Sequence, residues 1–183
     1  MVLINPIAIA ARDNLKDFKE IADKVGMRFM LMEGNLLGAY REKGIIKGDE
    51  DDMDLGIMDN EFSKFPQVID ELLKKGFVER KKVVINNELH GGCWERNGNH
   101  IDIMKMITDD AVYNYGEMGR IRYDYPKDIF ETYSKINFLG MEVETLGDIE
   151  KYLEVRYGDW KTPVSRKEYD YKDAKYSPNV KIL

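Results

Sequence analysis

The sequence predicts a mixed α/β domain of the α+β type: a mixed sheet flanked by helices, with a helical and irregular C-terminal extension. Three observations predict it. Two stretches repeat apolar residues at helical spacing, several short apolar runs are bounded by glycines, and two runs alternate acidic with apolar residues. With 183 residues, 43% hydrophobic and 11% aromatic, the chain can build one packed core. One domain over 1–183 is expected, with a core at about 12–110, a C-terminal block at about 136–163 and a polar tail at 164–183. This composition excludes a disordered or fibrous protein.

Asp13 or Asn14 is expected to cap a first helix carrying Leu15, Phe18, Ile21, Ala22 and Val25, ended by Gly26. Met27 to Met32 suits a buried strand. Leu36 to Tyr40 suggests a short helix ended by Gly44. Met53 to Met58 reads as a second strand. Asn60 is placed to cap a helix with an apolar stripe of Phe62, Phe65, Val68, Ile69, Leu72 and Leu73, ended by Gly76. Phe77 to Glu79 and Val83 to Ile85 suggest a hairpin or meander, and Ile101 to Ile107 another strand. Tyr113 to Tyr125 gives a weak signal and reads as loop. Ile136 to Val143 resembles a strand pair broken at Gly140, and Leu146 to Leu153 a last helix stopping at Gly158.

The net charge is −6, which makes nucleic acid and anionic membranes poor partners. Five of six positions from Asp49 to Asp54 are acidic (Asp49, Glu50, Asp51, Asp52 and Asp54), so the acidity is largely one local feature. One cysteine, Cys93, excludes an intrachain disulfide, and with two histidines it cannot supply a Cys/His zinc site. No apolar run reaches the ~18–20 residues of a membrane span. The opening segment lacks the basic stretch of a signal peptide, so a cytoplasmic protein is expected.

Asp52 and Asp54 lie two apart on a strand, so both carboxylates share one face while Met53 and Leu55 anchor the other. Such a pair is tolerable when a divalent cation neutralises it, and Mg²⁺ takes carboxylates, waters and phosphates as ligands. Asp102, flanked by Ile101 and Ile103, repeats the pattern; on a neighbouring strand it completes a three-carboxylate site of the kind that clamps a phosphoryl displacement. An EF-hand is excluded. Counted from Asp49 or Asp51, Met53 falls on a ligand position; counted from Asp52, the required glycine is Ile57. Upstream, Gly34 and Asn35 open a helix after a strand, where backbone N–H groups bind phosphate; Arg41 and Lys43 follow as phosphate contacts.

The segment EGNLLGAYREKGIIKGDEDDMDLGI, Glu33 to Ile57, resembles the signature of the LicD family, which includes the fukutin-related transferases and belongs to the nucleotidyltransferase superfamily typified by DNA polymerase beta. The superfamily pattern would be Gly34 with Asn35, then Asp52-Met53-Asp54, then Asp102. HIDIMKM resembles the family's Ile-Asp-Ile strand. Phe138 to Pro163 resembles its C-terminal block, ending in Tyr157-Gly158-Asp159-Trp160. Two departures stand out: Lys47-Gly48-Asp49 replaces the usual Pro-Trp before the acids, and Asn35 stands where Ser or Thr is common.

The resemblance implies a nucleotidyltransferase-like fold and transfer of a phospho-alcohol, such as phosphocholine or ribitol phosphate, from a CDP-alcohol to a sugar or glycan hydroxyl, with CMP leaving. It implies Mg²⁺ or Mn²⁺ on Asp52, Asp54 and Asp102, with Asp102 as ligand, base for the acceptor hydroxyl, or both. Asp51 is a further metal candidate. His90 and His100 are possible acid/base groups, although a surface or strand-end role is more usual. Trp94 and Trp160 are candidates to stack on a base or sugar, although core packing is the more usual role of Trp and is expected for Trp160; Cys93 is expected to be structural. Arg156 and Asp159 are within reach of the site region. Two alternatives remain: transfer of NMP from an NTP to a small hydroxylated acceptor, and a non-catalytic nucleotide- or glycan-binding relic of the fold.

Overall fold

A computed structural model of the chain describes residues 5–183. Helix α1 (Pro6–Val25) begins earlier than its apolar stripe suggests. The Asn5 side chain accepts the Ile7 N–H, and Pro6 occupies the first turn, where its missing N–H costs nothing. Asn14 is therefore not a cap. It is buried mid-helix, donating from Nδ2 to Asn99 Oδ1 at 2.9 Å and to the Arg96 carbonyl at 3.0 Å. Gly26, at φ +71°, closes the helix by donating to the Ala22 and Asp23 carbonyls.

Strand β1 is only Met30–Leu31, because only those residues pair with the next strand. Helix α2 (Glu33–Leu37) runs into one π turn, Gly38–Glu42, closed by Lys43 in the left-handed region rather than by Gly44. Strand β2 (Asp52–Met58) follows. A 3₁₀ turn, Phe62–Lys64, precedes helix α3 (Phe65–Lys74), so Asn60 is not its cap and Pro66 sits in its first turn. Strands β3 (Val78–Ile85), β4 (Glu88–Arg96) and β5 (Asn99–Thr108) form a meander. Its turns, Asn86-Asn87 and Asn97-Gly98, all have positive φ, the two-residue hairpin geometry those residues favour.

The Tyr-rich stretch expected as loop is two paired strands, β6 (Val112–Gly116) and β7 (Ile121–Tyr125). Val112 and Asn114 are buried between part-exposed Tyr113 and Tyr115, so a period of two is present but written in tyrosine and polar residues. Strands β8 (Tyr133–Phe138) and β9 (Met141–Leu146) form a separate hairpin about Gly140. Asp148 caps helix α4 (Ile149–Tyr157), and β10 (Val180–Ile182) pairs with β7.

The main sheet runs β1-β2-β5-β6-β7-β10, with β3 and β4 branching from β5. Among the described residues its one parallel pair is β2 with β5. Leu15 and Phe18 of α1 and Phe65, Val68 and Leu72 of α3 share one core with Met53, Leu55, Ile101, Ile103 and Trp94. Each such side chain stabilises the fold by about 1.5–3 kcal/mol when buried. The opposite face of β2 and β5 is left for polar side chains. No helix among the described residues is long and apolar enough to cross a membrane.

Candidate active site

The parallel register sets Asp54 beside Asp102; the antiparallel registers continue that row to Cys93 on β4 and Lys81 on β3. Residues paired across a sheet share a face, so one row carries two carboxylates, a thiol and an ammonium. Asp52, opposite His100, lies one step along. One oxygen from each of Asp52, Asp54 and Asp102 lies within 4.8 Å of the others. Met53, Leu55, Ile101 and Ile103 face away into the core.

Asn35 braces this arrangement. Its Nδ2 donates to the Asp52 carbonyl at 3.1 Å, and its Oδ1 accepts the Asp54 N–H at 2.5 Å. It thus acts on the backbone that carries the acids, donating from one amide atom and accepting at the other. Gly34 permits close approach of the acidic loop: a Cβ there would lie 2.9 Å from Asp49 Oδ2.

The site is short of positive charge. Burial, then the charges of Asp102, Asp49 and Asp51, pushes the Asp52 carboxyl up to about 6. Burial and the neighbouring Asp52 and Glu33 hold Asp54 well above the ordinary carboxylate range. Lys81 Nζ is 3.6 Å from Asp102 Oδ2, while Asp102 Oδ1 is buried with no hydrogen-bond partner. An unpaired buried carboxylate oxygen among crowded carboxylates fits a hard divalent cation with oxygen ligands. Burial and the neighbouring Asp102 push the Cys93 thiol up to about 12, which makes it unreactive.

The acids open into a cleft of about 1180 Å³, walled by the Gly34–Ile46 region, the β3–β7 face and the segment after α4. Of the sequence-based candidates, Gly34, Arg41, Asp52, Asp54 and Asp102 line it. Arg41 is held by the Trp160 carbonyl at 2.7 Å and by Glu42. Lys43 is not brought to the cleft: it donates to the Tyr40 carbonyl from an exposed turn. His100 pairs with Glu95 at 3.2 Å outside the cleft lining, whereas His90 lies within it. Trp94 is wholly buried against Phe65, while Trp160, expected in the core, stands on the cleft wall against Tyr40.

Several site residues escaped the sequence reading. Lys81, Lys47 and Arg166 line the cleft as cations, and Arg166 reaches Gly48 O and Asp51 from the tail. Glu33 is buried, ion-paired with buried Arg156, and accepts from the Tyr125 and Tyr152 hydroxyls at 3.0 and 3.1 Å. Arg156 also donates to Ser177 at 2.6 Å, which ties α4 to the tail. These pairs join positions far apart in the chain, so no local motif announces them.

A mixed sheet with an acid-apolar-acid strand beside a third acid-bearing strand, at a cleft large enough for a nucleotide, defines a nucleotidyltransferase-type domain. Residues 26–145 match the LicD/FKTN/FKRP nucleotidyltransferase domain, and the chain belongs to that family. It is 31% identical to an uncharacterised protein of Rickettsia typhi, over 84% of this chain and 47% of that one. It is 28% identical to the mouse ribitol-5-phosphate transferase FKTN, over 94% of this chain and 38% of that one. The chain thus spans about half or less of these curated relatives. The solution structure of the antibiotic-resistance factor ANT(2″)-Ia shares the fold, with TM-score 0.52 and 14% identity, over 75% of this chain and 65% of that one.

Proposed function

We propose that this domain is a divalent-metal-dependent transferase that moves a phospho-alcohol from a CDP-alcohol to a sugar hydroxyl, releasing CMP. The observation that carries this reading is the cluster of Asp52, Asp54 and Asp102, with its unpartnered buried oxygen, at the floor of the cleft. Membership of a family whose curated relatives include ribitol-5-phosphate transferases supports it.

Asp52, Asp54 and Asp102 would hold Mg²⁺ or Mn²⁺, which when bound neutralises the diphosphate and the charge developing in transfer. Lys81 and Arg166 line the same cleft and supply phosphate contacts, with Arg41 as a further one. The acceptor hydroxyl oxygen forms the new bond to the phosphorus of the phospho-alcohol. The bond from that phosphorus to the bridging oxygen breaks, and CMP leaves with the electron pair. Asp102 would serve as metal ligand, as base for the hydroxyl proton, or as both; its unpaired Oδ1, with Lys81 near Oδ2, supports this reading.

The test is CMP release from CDP-ribitol, CDP-glycerol and CDP-choline, each with Mg²⁺ or Mn²⁺ and a sugar acceptor, read by phosphorus NMR. Metal-dependent CMP release, reduced at least about 10²-fold in Asp52→Asn, is expected. Pyrophosphate release from an NTP, with CDP-alcohols inert, would assign nucleotidyl transfer instead.

A further inference from the structure

The sheet forks beside the acid row. On one edge of β5, β4 pairs from Asn99 to Met104, while β6 pairs only at Ile107 and Thr108. The opening between them faces the cleft and carries His90, Met104, Asn114 and Tyr115. Two features show that the fork is built rather than left over.

The first is a β-bulge. Val83 of β3 faces Gly91 and the next residue, Val84, faces Leu89, so His90 is the extra residue. Gly91 has φ +137°, and a Cβ there would lie 2.0 Å from the Ile103 carbonyl, so only glycine serves. Bulges re-aim side chains, and this one brings the His90 ring edge-on to Tyr115, with centroids 5.5 Å apart.

The second is a pair of unsatisfied polar atoms. His90 Nδ1 is buried with no hydrogen-bond partner. Asn114 is 2% exposed; its Nδ2 donates to Met104 Sδ at 3.3 Å, which leaves Oδ1 buried and unpartnered. Folded chains pair nearly all such atoms, so two in one fork point to a ligand that completes them.

We propose that the fork between β4 and β6 is a subsite for an uncharged polyhydroxylated group, gripped by His90 Nδ1 and Asn114 Oδ1. The proposal rests on the transferase reading and names what lies beside the reacting phosphorus. Asn114 Oδ1 only accepts, so the ligand donates a hydroxyl to it. Burial, with Lys105 nearby, keeps His90 neutral, able to donate or accept. Met104 lies two residues from Asp102 along β5, about 7 Å. That distance suits a group bonded to the phosphorus rather than a base set beyond a ribose. The donor's alcohol and the acceptor sugar share this chemistry.

The experiment uses the full chain, isotopically labelled so that the His90 ring and Asn114 amide signals are resolved by NMR. CMP, CDP-ribitol and CDP-choline, each with Mg²⁺, free ribitol, and galactose with CMP and Mg²⁺ are titrated in turn. The expected result is that the hydroxylated ligands move both signals and CMP does not. His90→Phe and Asn114→Leu should weaken the hydroxylated ligand about five- to tenfold and leave CMP unchanged. Response to CDP-ribitol names the donor alcohol as occupant; response to galactose names the acceptor. Signals that no hydroxylated ligand moves, or that CMP or CDP-choline moves instead, overturn the proposal. Failure of CMP to bind anywhere would sink the transferase reading, and free ribitol would still decide the fork. If a variant does not fold, the wild-type titrations stand alone.

Discussion

Asp54 sits between Asp52, Glu33 and Asp102, so each neighbouring charge opposes its ionisation. Removing one charge from such a cluster relieves repulsion, and removing one ligand abolishes cation binding. Asp54→Asn should therefore raise the melting temperature of the metal-free chain and cancel the rise given by Mg²⁺ or Mn²⁺. A variant still stabilised by metal would place the cation elsewhere. The pH dependence has a definite sign. The Asp52 pKa is about 6 in the folded chain, against 3.8 as the ordinary value. The folded state then binds more protons between these limits, so this stabilisation is complete below 3.8 and lost as pH rises through 6. In EDTA, Asp52 makes stability fall from pH 4 toward 7; with saturating metal the trend should flatten or reverse, because binding needs the deprotonated carboxylates. Melting curves across that range with and without EDTA check it, with Asp52→Asn as the variant that lacks this contribution.

At the scale of elements, the site depends on register. A slip of β2 by one residue against β5 would send Asp52 and Asp54 into the core and away from Asp102. The Asn35 brace and the Asn99 bond to the Glu50 carbonyl, 3.1 Å, hold that register from outside the sheet. The bulge at His90 depends on Gly91. Gly91→Ala should destabilise the chain by about 1–3 kcal/mol, since a left-handed φ and a backbone clash oppose the added carbon. Chemical denaturation measures it; an unchanged midpoint would show that the bulge relaxes freely. Strand β2 was readable because acids alternate with large apolar residues, and the α1 and α3 stripes because their spacing is helical. Strands β4, β6 and β7 were not. β4 buries Gly92 and Cys93, β6 buries Asn114 between part-exposed tyrosines, and two of the three inward residues of β7 are Tyr123 and Tyr125, so aliphatic side chains do not mark these faces. The Asn97-Gly98 turn is a local signal for the β4–β5 hairpin that the sequence reading did not use.

The whole molecule is closed by the buried Glu33–Arg156 pair, which ties the start of α2 to α4 and, through Ser177, to the tail. Tyr123 and Tyr157 flank the guanidinium with ring centroids 4.4 and 4.9 Å away. Breaking a buried pair leaves one charge without compensation. Arg156→Met should cost about 3–5 kcal/mol and loosen the tail wall of the cleft, seen as a lower denaturation midpoint and faster amide exchange around Ser177. Full stability would show that Glu33 is satisfied by its tyrosine partners alone.

Local chemistry settled the character of the site before any contact was known. Two acids two apart on a strand, a third flanked by isoleucines and a glycine turn upstream are short-range patterns, legible because a strand's period of two fixes which side chains share a face. Tertiary structure alone decided that Asp54 and Asp102 are neighbours, that Lys81 and Arg166 reach the cleft while Lys43 does not, and that His90 is turned inward. Those outcomes depend on strand pairing, bulges and a buried ion pair between residues up to 123 positions apart. Contacts of that range leave no periodic trace in the sequence, because their energy comes from groups that meet only once the chain has folded.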